Sequence, residues 1–409
     1  MKSRPGKALY VMAAALAAAL LSSAATILIM RGAAEDAVVM SAEEYQRYSR
    51  LIALDELAVK IEEEFYAEVP SRDELIAGAA SGMTETLDDP YARYYTAEEY
   101  EEYLSSINGE YYGIGLLVGQ PDDTGSEVLE VYGGSSAQDA GIKAGDIITH
   151  AKGQPTANMP LEDLRALIAS QKGEEVVLTL LRGSQTLQVT VVSGDVTVNR
   201  VEHALFNQYT GYVSISMFTG SCAEEFESAL KDLKSRNFRS LVIDLRNNPG
   251  GSLDIVLDVA DGILGRGMRI VSVGSAETGD VEVYNAKGSP IGVPVAVLVN
   301  ENSASASEIL AAAIQENDIG VVVGTDTYGK GVVQTTMYVE ATGGWLKLTT
   351  DEYYTPKGNN INGRGIVPDI YAELPEEYRE VPVGEIEQAQ DTQLWKALDY
   401  VREKAEGAY

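Results

Sequence analysis

The hydrophobic pattern of the chain predicts helices first. In residues 41–106 apolar positions recur every three or four residues, as on one face of an amphipathic helix. That face is marked by Leu51, Leu54, Leu57, Ile61 and Phe65. Ser71-Arg-Asp-Glu74 is a capping box that predicts a second helix, and Leu87-Asp-Asp-Pro-Tyr91 ends it. Residues 35–108 are therefore predicted to be a helical region, of a kind that more often serves assembly than chemistry.

From residue 113 onward the pattern changes to short strands. Strands are predicted at 128–131, 146–149 and 175–181, with a small helix and tight turn at 136–146 and a longer helix at 161–168. These elements predict a β-rich domain with two helices over residues 109–194.

Residues 195–375 alternate strands with helices. Strands are predicted at 211–215, 240–244 and 293–299, and helices at 224–236 and 253–264. The alternation predicts α/β layering around a largely parallel sheet, and the nearly continuous apolar runs indicate a sheet covered on both faces. The acidic tail, 376–409, carries one short amphipathic helix marked by Leu394, Leu398 and Val401.

The N-terminus carries an uncharged run, residues 8–30, between Lys7 and Arg31. About 20 apolar residues span a bilayer, so residues 1–34 are predicted to be a cytoplasmic tip and a transmembrane signal anchor. The expected location is the cell membrane, single-pass, with the remaining chain extracytoplasmic. A cleaved signal peptide, with a small-residue site near Ser22-Ser23-Ala24, is the alternative and would make the protein secreted.

Composition narrows the choice of partners and cofactors. With 31 basic and 62 acidic residues the net charge is −31, which argues against nucleic acid as a partner. Cys222 is the only cysteine, so a cysteine-ligated metal site is not expected. The two histidines, His150 and His203, stand in no recurring pattern with a serine or a carboxylate. No metal and no cofactor are predicted.

Three serines, Ser303, Ser305 and Ser307, alternate with alanine where the apolar strand gives way to a helix. Ser305-Ala-Ser-Glu308 fits a capping box, so one interpretation is a purely structural helix cap. The other is a nucleophile, because such a turn exposes its hydroxyl and the helix N-terminus offers amides to an oxyanion. A serine enzyme built here would need a base other than histidine.

Lys330, between two glycines, is the candidate base. Most lysines lie on the surface, but Val332-Val333 follows and an apolar pocket would lower the pKa of the amine toward neutrality. If 330–334 is extended, Gln334 shares a face with Lys330 and can hold the amine by a hydrogen bond.

Two glycine-containing segments complete the candidate chemistry. Asp244–Ser252 closes a strand and opens a helix; it lacks the ending of a phosphate loop, and Asp244 with Arg246 is expected to brace the turn. Gly113-Ile-Gly-Leu116 lets backbone amides face an anion beside a strand edge that can pair with a peptide. A lone Gly-x-Gly is common, but Ala140-Gly-Ile-Lys-Ala-Gly-Asp146 at the appropriate distance favours peptide binding.

In order along the chain, these segments resemble the carboxy-terminal processing peptidases, a family of PDZ-containing Ser-Lys proteases. The resemblance spans about residues 45–375, and the blocks around Ser305, Lys330 and Gly363–Asp369 are highly specific together. It implies a multidomain α/β protein: the N-terminal anchor and helical region, a PDZ domain at 109–194, a crotonase-like protease core at 195–375, and the short C-terminal helix.

The resemblance also implies the roles of single residues. Ser305 would be the nucleophile, Lys330 the general base and Gln334 its positioning group. The oxyanion would be held by backbone amides of Gly251, with Gly250 as second choice, and of Ala306. The peptide-binding loop of the PDZ domain would be Gly113, Ile114, Gly115 and Leu116. Where many members have Arg-Gly, this chain has Ala169-Ser170, so PDZ gating is expected to differ or to use another residue.

The predicted function is that of a membrane-tethered, extracytoplasmic serine endopeptidase that recognises the C-termini of protein or peptide substrates, with an apolar preference. Its expected partners are those substrates, the membrane through the N-terminal helix, a second copy in a homodimer, and a regulatory protein as a further candidate. The main alternative is a PDZ scaffold on a degenerate core that binds peptide tails without cutting them. An acyl-CoA enzyme is a third hypothesis, but the sequence shows no groups for binding CoA.

Overall fold

The structure, a computed structural model, describes residues 41–108, 110–169, 173–275, 278–379, 381 and 383–407, together with Tyr10, Met12, Leu16, Ser22 and Ser23. The chain divides into two compact units, Met1–Gly78 and Ala79–Tyr409. The predicted membrane-spanning segment, 8–30, lies outside the described residues apart from those five isolated positions. Among the residues that are described, no helix is long and apolar enough to cross a bilayer.

The first unit contains helix α1 (Ala42–Glu64) and the start of α2 (Arg72–Glu85). The capping box predicted at the start of α2 is confirmed: the Ser71 N–H donates to Glu74 Oε2 at 2.6 Å, and the Glu74 N–H donates to Ser71 Oγ at 3.3 Å. On α1, the apolar positions Leu51, Leu54 and Leu57 are about half exposed in the single chain.

The second unit begins with β1 (Arg93–Tyr95) and α3 (Ala97–Asn108) and continues into the predicted PDZ domain. The elements of that domain are β2 (Glu110–Gly113), β3 (Leu116–Val118), β4 (Ser126–Val131), α4 (Ser136–Asp139), β5 (Ile147–Ala151), β6 (Gln154–Pro155), α5 (Leu161–Ile168), β7 (Glu175–Arg182), β8 (Gln185–Val192) and β9 (Gly194–Thr197). The predicted strands and helices are present here, and β2, β3, β6, β8 and β9 are strands without an individual prediction.

The strand order of this domain places β3 at one edge of its sheet. The sheet runs β3-β4-β5-β7-β8, with β6 on β5, so β3 is an edge strand. Fully buried Val128, Leu164 and Leu178 form part of its own hydrophobic core. A separate ribbon of β2 and β9 places Gly113 opposite Gly194, so the chain enters and leaves the domain at neighbouring points.

The remaining elements form the α/β core. They are β10 (Val201–Phe206), β11 (Thr210–Ile215), α6 (Cys222–Ser235), β12 (Ser240–Asp244), α7 (Leu253–Asp261), β13 (Arg269–Gly274), β14 (Val281–Asn285), β15 (Val295–Val299), α8 (Ala306–Glu316), β16 (Gly320–Gly324), β17 (Val332–Val339), β18 (Gly344–Tyr354), β19 (Ile370–Tyr371), 3₁₀ turns at Glu376–Tyr378 and Val383–Glu385, and α9 (Thr392–Glu406).

The central sheet has the order β10-β11-β12-β15-β16-β19 and is parallel except for the antiparallel edge strand β10. Every residue of β12 and β15 is buried, as expected for strands covered on both faces. Leu241 and Ile243 face the core formed with α6, α7 and α8, whereas Val242 faces a second core formed with α9. The helix predicted in the acidic tail therefore covers one face of the central sheet.

A second sheet, with the order β1-β18-β13-β14 and with β17 paired to β18, was not predicted. Its strands come from distant parts of the chain, and β1 lies in the region predicted to be helical. The long β17–β18 hairpin places residues that follow Lys330 in the same cleft as Ser305, which lies in the turn after β15.

Candidate active site

Ser305 lies at the turn between β15 and α8 in a strained backbone conformation. Its φ is 56° and its ψ is −114°, a region that residues with a side chain rarely adopt. Such strain persists only where the surrounding structure enforces it, and it is typical of functional sites, including the turns that present nucleophilic serines. The conformation differs from that of the ordinary serine cap Ser41, whose φ is −67° and ψ 160°.

The two neighbouring serines have structural contacts instead. Ser303 is fully buried and donates its hydroxyl to the Leu245 carbonyl at 2.8 Å. Ser307 is fully buried and donates to the Asn248 carbonyl at 2.9 Å. Both bonds fasten the turn to the segment that follows β12. Of the three serines, Ser305 is the one that lines the cleft described below.

Glu308 joins the Ser305 turn to the Lys330 loop. Its buried carboxylate accepts hydrogen bonds from the Ser305 N–H at 2.8 Å and the Lys330 N–H at 2.9 Å. It also accepts from the Gly329 N–H at 2.7 Å and the Thr327 hydroxyl at 2.5 Å. The pKa of this carboxyl is raised because burial has a larger effect than the four hydrogen-bond donors, which lower it. The sequence indicated Glu308 only as part of a capping box, because its contact with the separate 327–330 loop has no local sequence signal.

The side chain of Lys330 is partly buried. Its Nζ lies 4.3 Å from the centroid of the Tyr91 ring. Burial lowers the pKa of the Lys330 amine and the charge of Lys347 lowers it further, whereas Asp89 and Glu308 act in the opposite direction. A lysine with a lowered pKa can act as a base near neutral pH.

Gln334 lines the same cleft as Lys330, but its amide has another partner. Strand β17 begins at Val332, and its register with β18 shifts between Val333 and Gln334, so 330–334 is not one regular extended stretch. The Gln334 amide donates to the Thr349 hydroxyl at 3.3 Å. The expected hydrogen bond from Gln334 to the Lys330 amine is absent among the described residues, as is one between Ser305 and Lys330. Catalytic hydrogen bonds are often long in a free enzyme and tighten in the substrate complex.

The glycine-rich turn after β12 lies directly beside Ser305. A Cβ placed on Gly250 would come within 2.7 Å of Ser305 Cβ and 3.0 Å of the Ala306 nitrogen. The Gly250 N–H donates to Asn248 Oδ1 at 2.9 Å, so this amide is engaged. Within the described residues, the N–H groups of Gly251 and Ala306 have no acceptor. Both amides are therefore available to an oxyanion. The sequence predicted these two for that role, with Gly251 preferred over Gly250.

A buried ion network braces this turn. The Arg246 guanidinium contacts Asp244 at 2.6 Å and Asp391, the N-cap of α9, at 2.8 Å. Arg246 is 1% exposed and both carboxylates are 3% exposed. The expected bracing role of Asp244 and Arg246 fits this arrangement, and Asp391 is a third member that the sequence did not reveal.

The candidate catalytic groups meet in one cleft of about 570 Å³. Its lining includes the predicted residues Ser305, Lys330, Gln334, Gly250, Gly251 and Ala306. Lys347 and Tyr353 also line it and were not predicted.

The two histidines, His150 and His203, do not line the cleft. His203 is 3.2 Å from Asp232 on α6, and the buried thiol of Cys222 has its pKa raised to about 12 by burial. Groups of three or more metal-ligating side chains are absent from the described part of the chain.

The predicted peptide-binding loop lines a second, smaller groove of about 330 Å³ between β3 and α5. Gly113, Ile114, Gly115 and Leu116 all line it. Gly115 has a φ of 84°, and a Cβ there would come within 2.1 Å of Ser135 Cβ, so glycine is required. On the other wall are Arg165, Ile168 and Ala169, while Ser170 lies outside the described residues.

Comparison with known families supports this organisation. The chain matches the model of peptidase family S41 over residues 209–372 and that of a PDZ domain over residues 127–182. It also matches the model described as the activating protease CtpB N-terminal domain over residues 24–99.

Two relatives and one solved structure show how far the similarity extends. A carboxy-terminal-processing protease of Bartonella bacilliformis is 33% identical over 84% of this chain and 81% of that protein. A probable CtpA-like serine protease of Staphylococcus haemolyticus is 33% identical over 80% of this chain, which spans 66% of that relative's length. The solved structure of a putative S41 protease from Bacteroides fragilis shares the fold, with a TM-score of 0.55 and 17% identity over 83% of this chain and 92% of that one.

Proposed function

Because the chain belongs to peptidase family S41, among the carboxy-terminal processing proteases, we propose that it is a serine endopeptidase that uses Ser305 and Lys330 as a catalytic dyad. The observation that carries this proposal is the cleft itself. It brings a half-buried serine in a strained turn together with a partly buried lysine whose pKa is lowered. No histidine lines that cleft.

In the proposed reaction, Ser305 Oγ attacks the carbonyl carbon of the scissile peptide bond while its proton passes to the neutral Lys330 amine. The negative charge that develops on the carbonyl oxygen is held by the N–H groups of Gly251 and Ala306. Lys330 then returns the proton to the leaving amine as the C–N bond breaks. A water molecule hydrolyses the acyl-enzyme, with Lys330 again taking and returning a proton.

Gln334 is proposed to act on the lysine through the β17–β18 hairpin. Its amide bonds to Thr349, and Thr349 also interacts with the Asp89 carboxylate. This chain of contacts ends near the lysine, because the Asp89 charge raises the pKa of the Lys330 amine. It supports a role in fixing the lysine without a direct bond in the free enzyme.

The PDZ domain is proposed to bind substrate C-termini. Residues Gly113–Leu116 line the groove, and the edge strand β3 can pair with an extended peptide. The carbonyls of Ile114 and Gly115 are engaged by the N–H groups of Ala137 and Tyr132, each at 3.0 Å, which holds the loop in one conformation. Apolar side chains of this groove would accept an apolar terminal residue.

We further propose tethering by residues 8–30, an extracytoplasmic site, and a homodimer formed through the N-terminal helices. The uncharged run beside Lys7 supports the tether, and the exposed apolar residues of α1 support the assembly. Fractionation of cells that express the full chain tests the tether: it should remain with the membrane after a high-salt wash, and release of a shortened chain would indicate a cleaved signal peptide.

Labelling with a serine-reactive fluorophosphonate tests the dyad. The full chain should be modified at Ser305, identified by mass spectrometry of its peptides, and Ser305→Ala should abolish the modification. Ser252→Ala is the matched control, since Ser252 lines the same cleft. Labelling that persists in Ser305→Ala, or labelling of the wild type at Ser252, would contradict the assignment of Ser305 as the nucleophile.

A further inference from the structure

The Leu87–Tyr91 segment reaches the proposed active site, although its sequence suggested only a helix end. The Asp89 carboxylate accepts the Tyr91 N–H at 2.9 Å and interacts with Thr349 on β18, which holds the turn against the hairpin. The Tyr91 hydroxyl interacts with Tyr328, in the same loop as Lys330. The turn is thus fastened through Asp89 to β18 and through Tyr91 to the loop that carries the lysine.

From this geometry we propose that Tyr91 is a positioning residue for Lys330, acting through the face of its ring. The Lys330 Nζ lies 4.3 Å from the ring centroid, within the range of a cation–π contact. This inference rests on the proposed function, since it assigns a partner to the general base of that reaction.

The chemistry of the dyad gives such a contact a purpose. Lys330 must be neutral to accept the Ser305 proton and becomes an ammonium while the tetrahedral intermediate exists. A carboxylate partner would favour the ammonium so strongly that the lysine would stay protonated at neutral pH. An aromatic face favours the ammonium far less, and it also excludes water from one side of the amine.

Other charged and titratable groups around Lys330 set the same balance. Lys347 on β18 disfavours the ammonium, and Asp89 and Glu308 favour it. Tyr328 lies in the lysine's own loop, and Tyr353 on β18 lines the cleft. The contribution of Tyr91 is therefore separable only by substitutions that leave these groups in place.

The test is the pH dependence of peptide cleavage by the full chain with three variants. Tyr91→Leu keeps an apolar cover over Lys330 but removes the ring that favours the ammonium. The limb of the pH profile along which activity rises should therefore move to lower pH by about 0.4–1.5 units. The maximal rate should fall at the same time because the lysine is less restrained. Tyr91→Phe keeps the ring, so its limb should stay with that of the wild type. Lys347→Met should move the limb the other way, which shows that the assay detects such shifts.

A direct titration separates this inference from the proposed function. Lysine labelled with ¹³C at Cε can be followed by NMR in the full chain carrying Ser305→Ala, which needs no activity. Lys330 should titrate at lower pH when Tyr91→Leu is added and unchanged when Tyr91→Phe is added. Identical Lys330 titrations with and without the ring would overturn the inference. If the titration shifts but no variant cleaves peptide, the contact is real and the proposed protease function is wrong.

Discussion

The strained conformation of Ser305 predicts an unusual order of stability among inactive variants. At an ordinary position glycine is less stable than alanine by about 0.5–1 kcal/mol, because glycine loses more backbone freedom on folding. Ser305 has a φ of 56°, where a residue with a Cβ carries strain of about 1–3 kcal/mol that glycine does not. The two effects oppose each other, and strain is the larger. Ser305→Gly should therefore be more stable than Ser305→Ala by about 1 kcal/mol.

Urea unfolding of the two variants, followed by tryptophan fluorescence, measures this difference. Both variants lack the nucleophile, so self-cleavage cannot bias the comparison. The matched control is Ser303→Gly against Ser303→Ala: Ser303 is not at positive φ, and both substitutions lose the same bond to Leu245, so alanine should be the more stable there. Finding Ser305→Gly less stable than Ser305→Ala by the ordinary margin would show that the turn is unstrained and would remove this argument for a nucleophile.

Three further predictions concern the base and the PDZ groove. Activity should rise with pH at values below 10.5, the ordinary lysine pKa, because the lowered pKa makes the neutral amine available at lower pH. Lys330→Arg, which is always charged, should lose about 10²–10⁴-fold in cleavage rate. A fully active arginine variant would refute the neutral base. Removal of residues 114–193 should leave two neighbouring chain ends, since Gly113 pairs with Gly194. It should impair cleavage of proteins with accessible C-termini far more than cleavage of short peptides. Equal losses for both substrates would contradict recognition of C-terminal tails. Arg165 is the one charged residue among the described residues that line the PDZ groove. In Arg165→Glu, peptides with an acidic residue near the C-terminus should therefore bind more weakly, and peptides with a lysine there should bind more tightly. Equal changes for both peptides would contradict selection by charge.

Elements whose evidence is local could be predicted from the sequence. Strands β4, β5 and β7 of the PDZ domain and the helix at 161–168 follow from short apolar runs and turn residues, and the observed α5 has the predicted bounds, Leu161–Ile168. The choice of Ser305 among three serines came from the family resemblance, and the structure adds a physical reason: Ser303 and Ser307 are fully buried and bonded to carbonyls.

Features set by distant contacts could not be predicted. The second sheet combines β1 with strands far along the chain, and strands of mixed polarity carry little signal of which strands they pair with. The two-residue period proposed for Lys330 and Gln334 is interrupted by a register shift at Val333, which depends on pairing with β18. The contact between Tyr91 and Lys330, and the ion pair of Arg246 with Asp391, likewise join residues that only the fold brings together.

The most direct test of the central proposal is cleavage of unfolded β-casein by the purified full chain, compared among the wild type, Ser305→Ala and Ser252→Ala. The wild type and Ser252→Ala should produce the same fragments and Ser305→Ala none, with the three proteins equally folded by circular dichroism. Fragments from Ser305→Ala at the wild-type rate would contradict a nucleophilic Ser305.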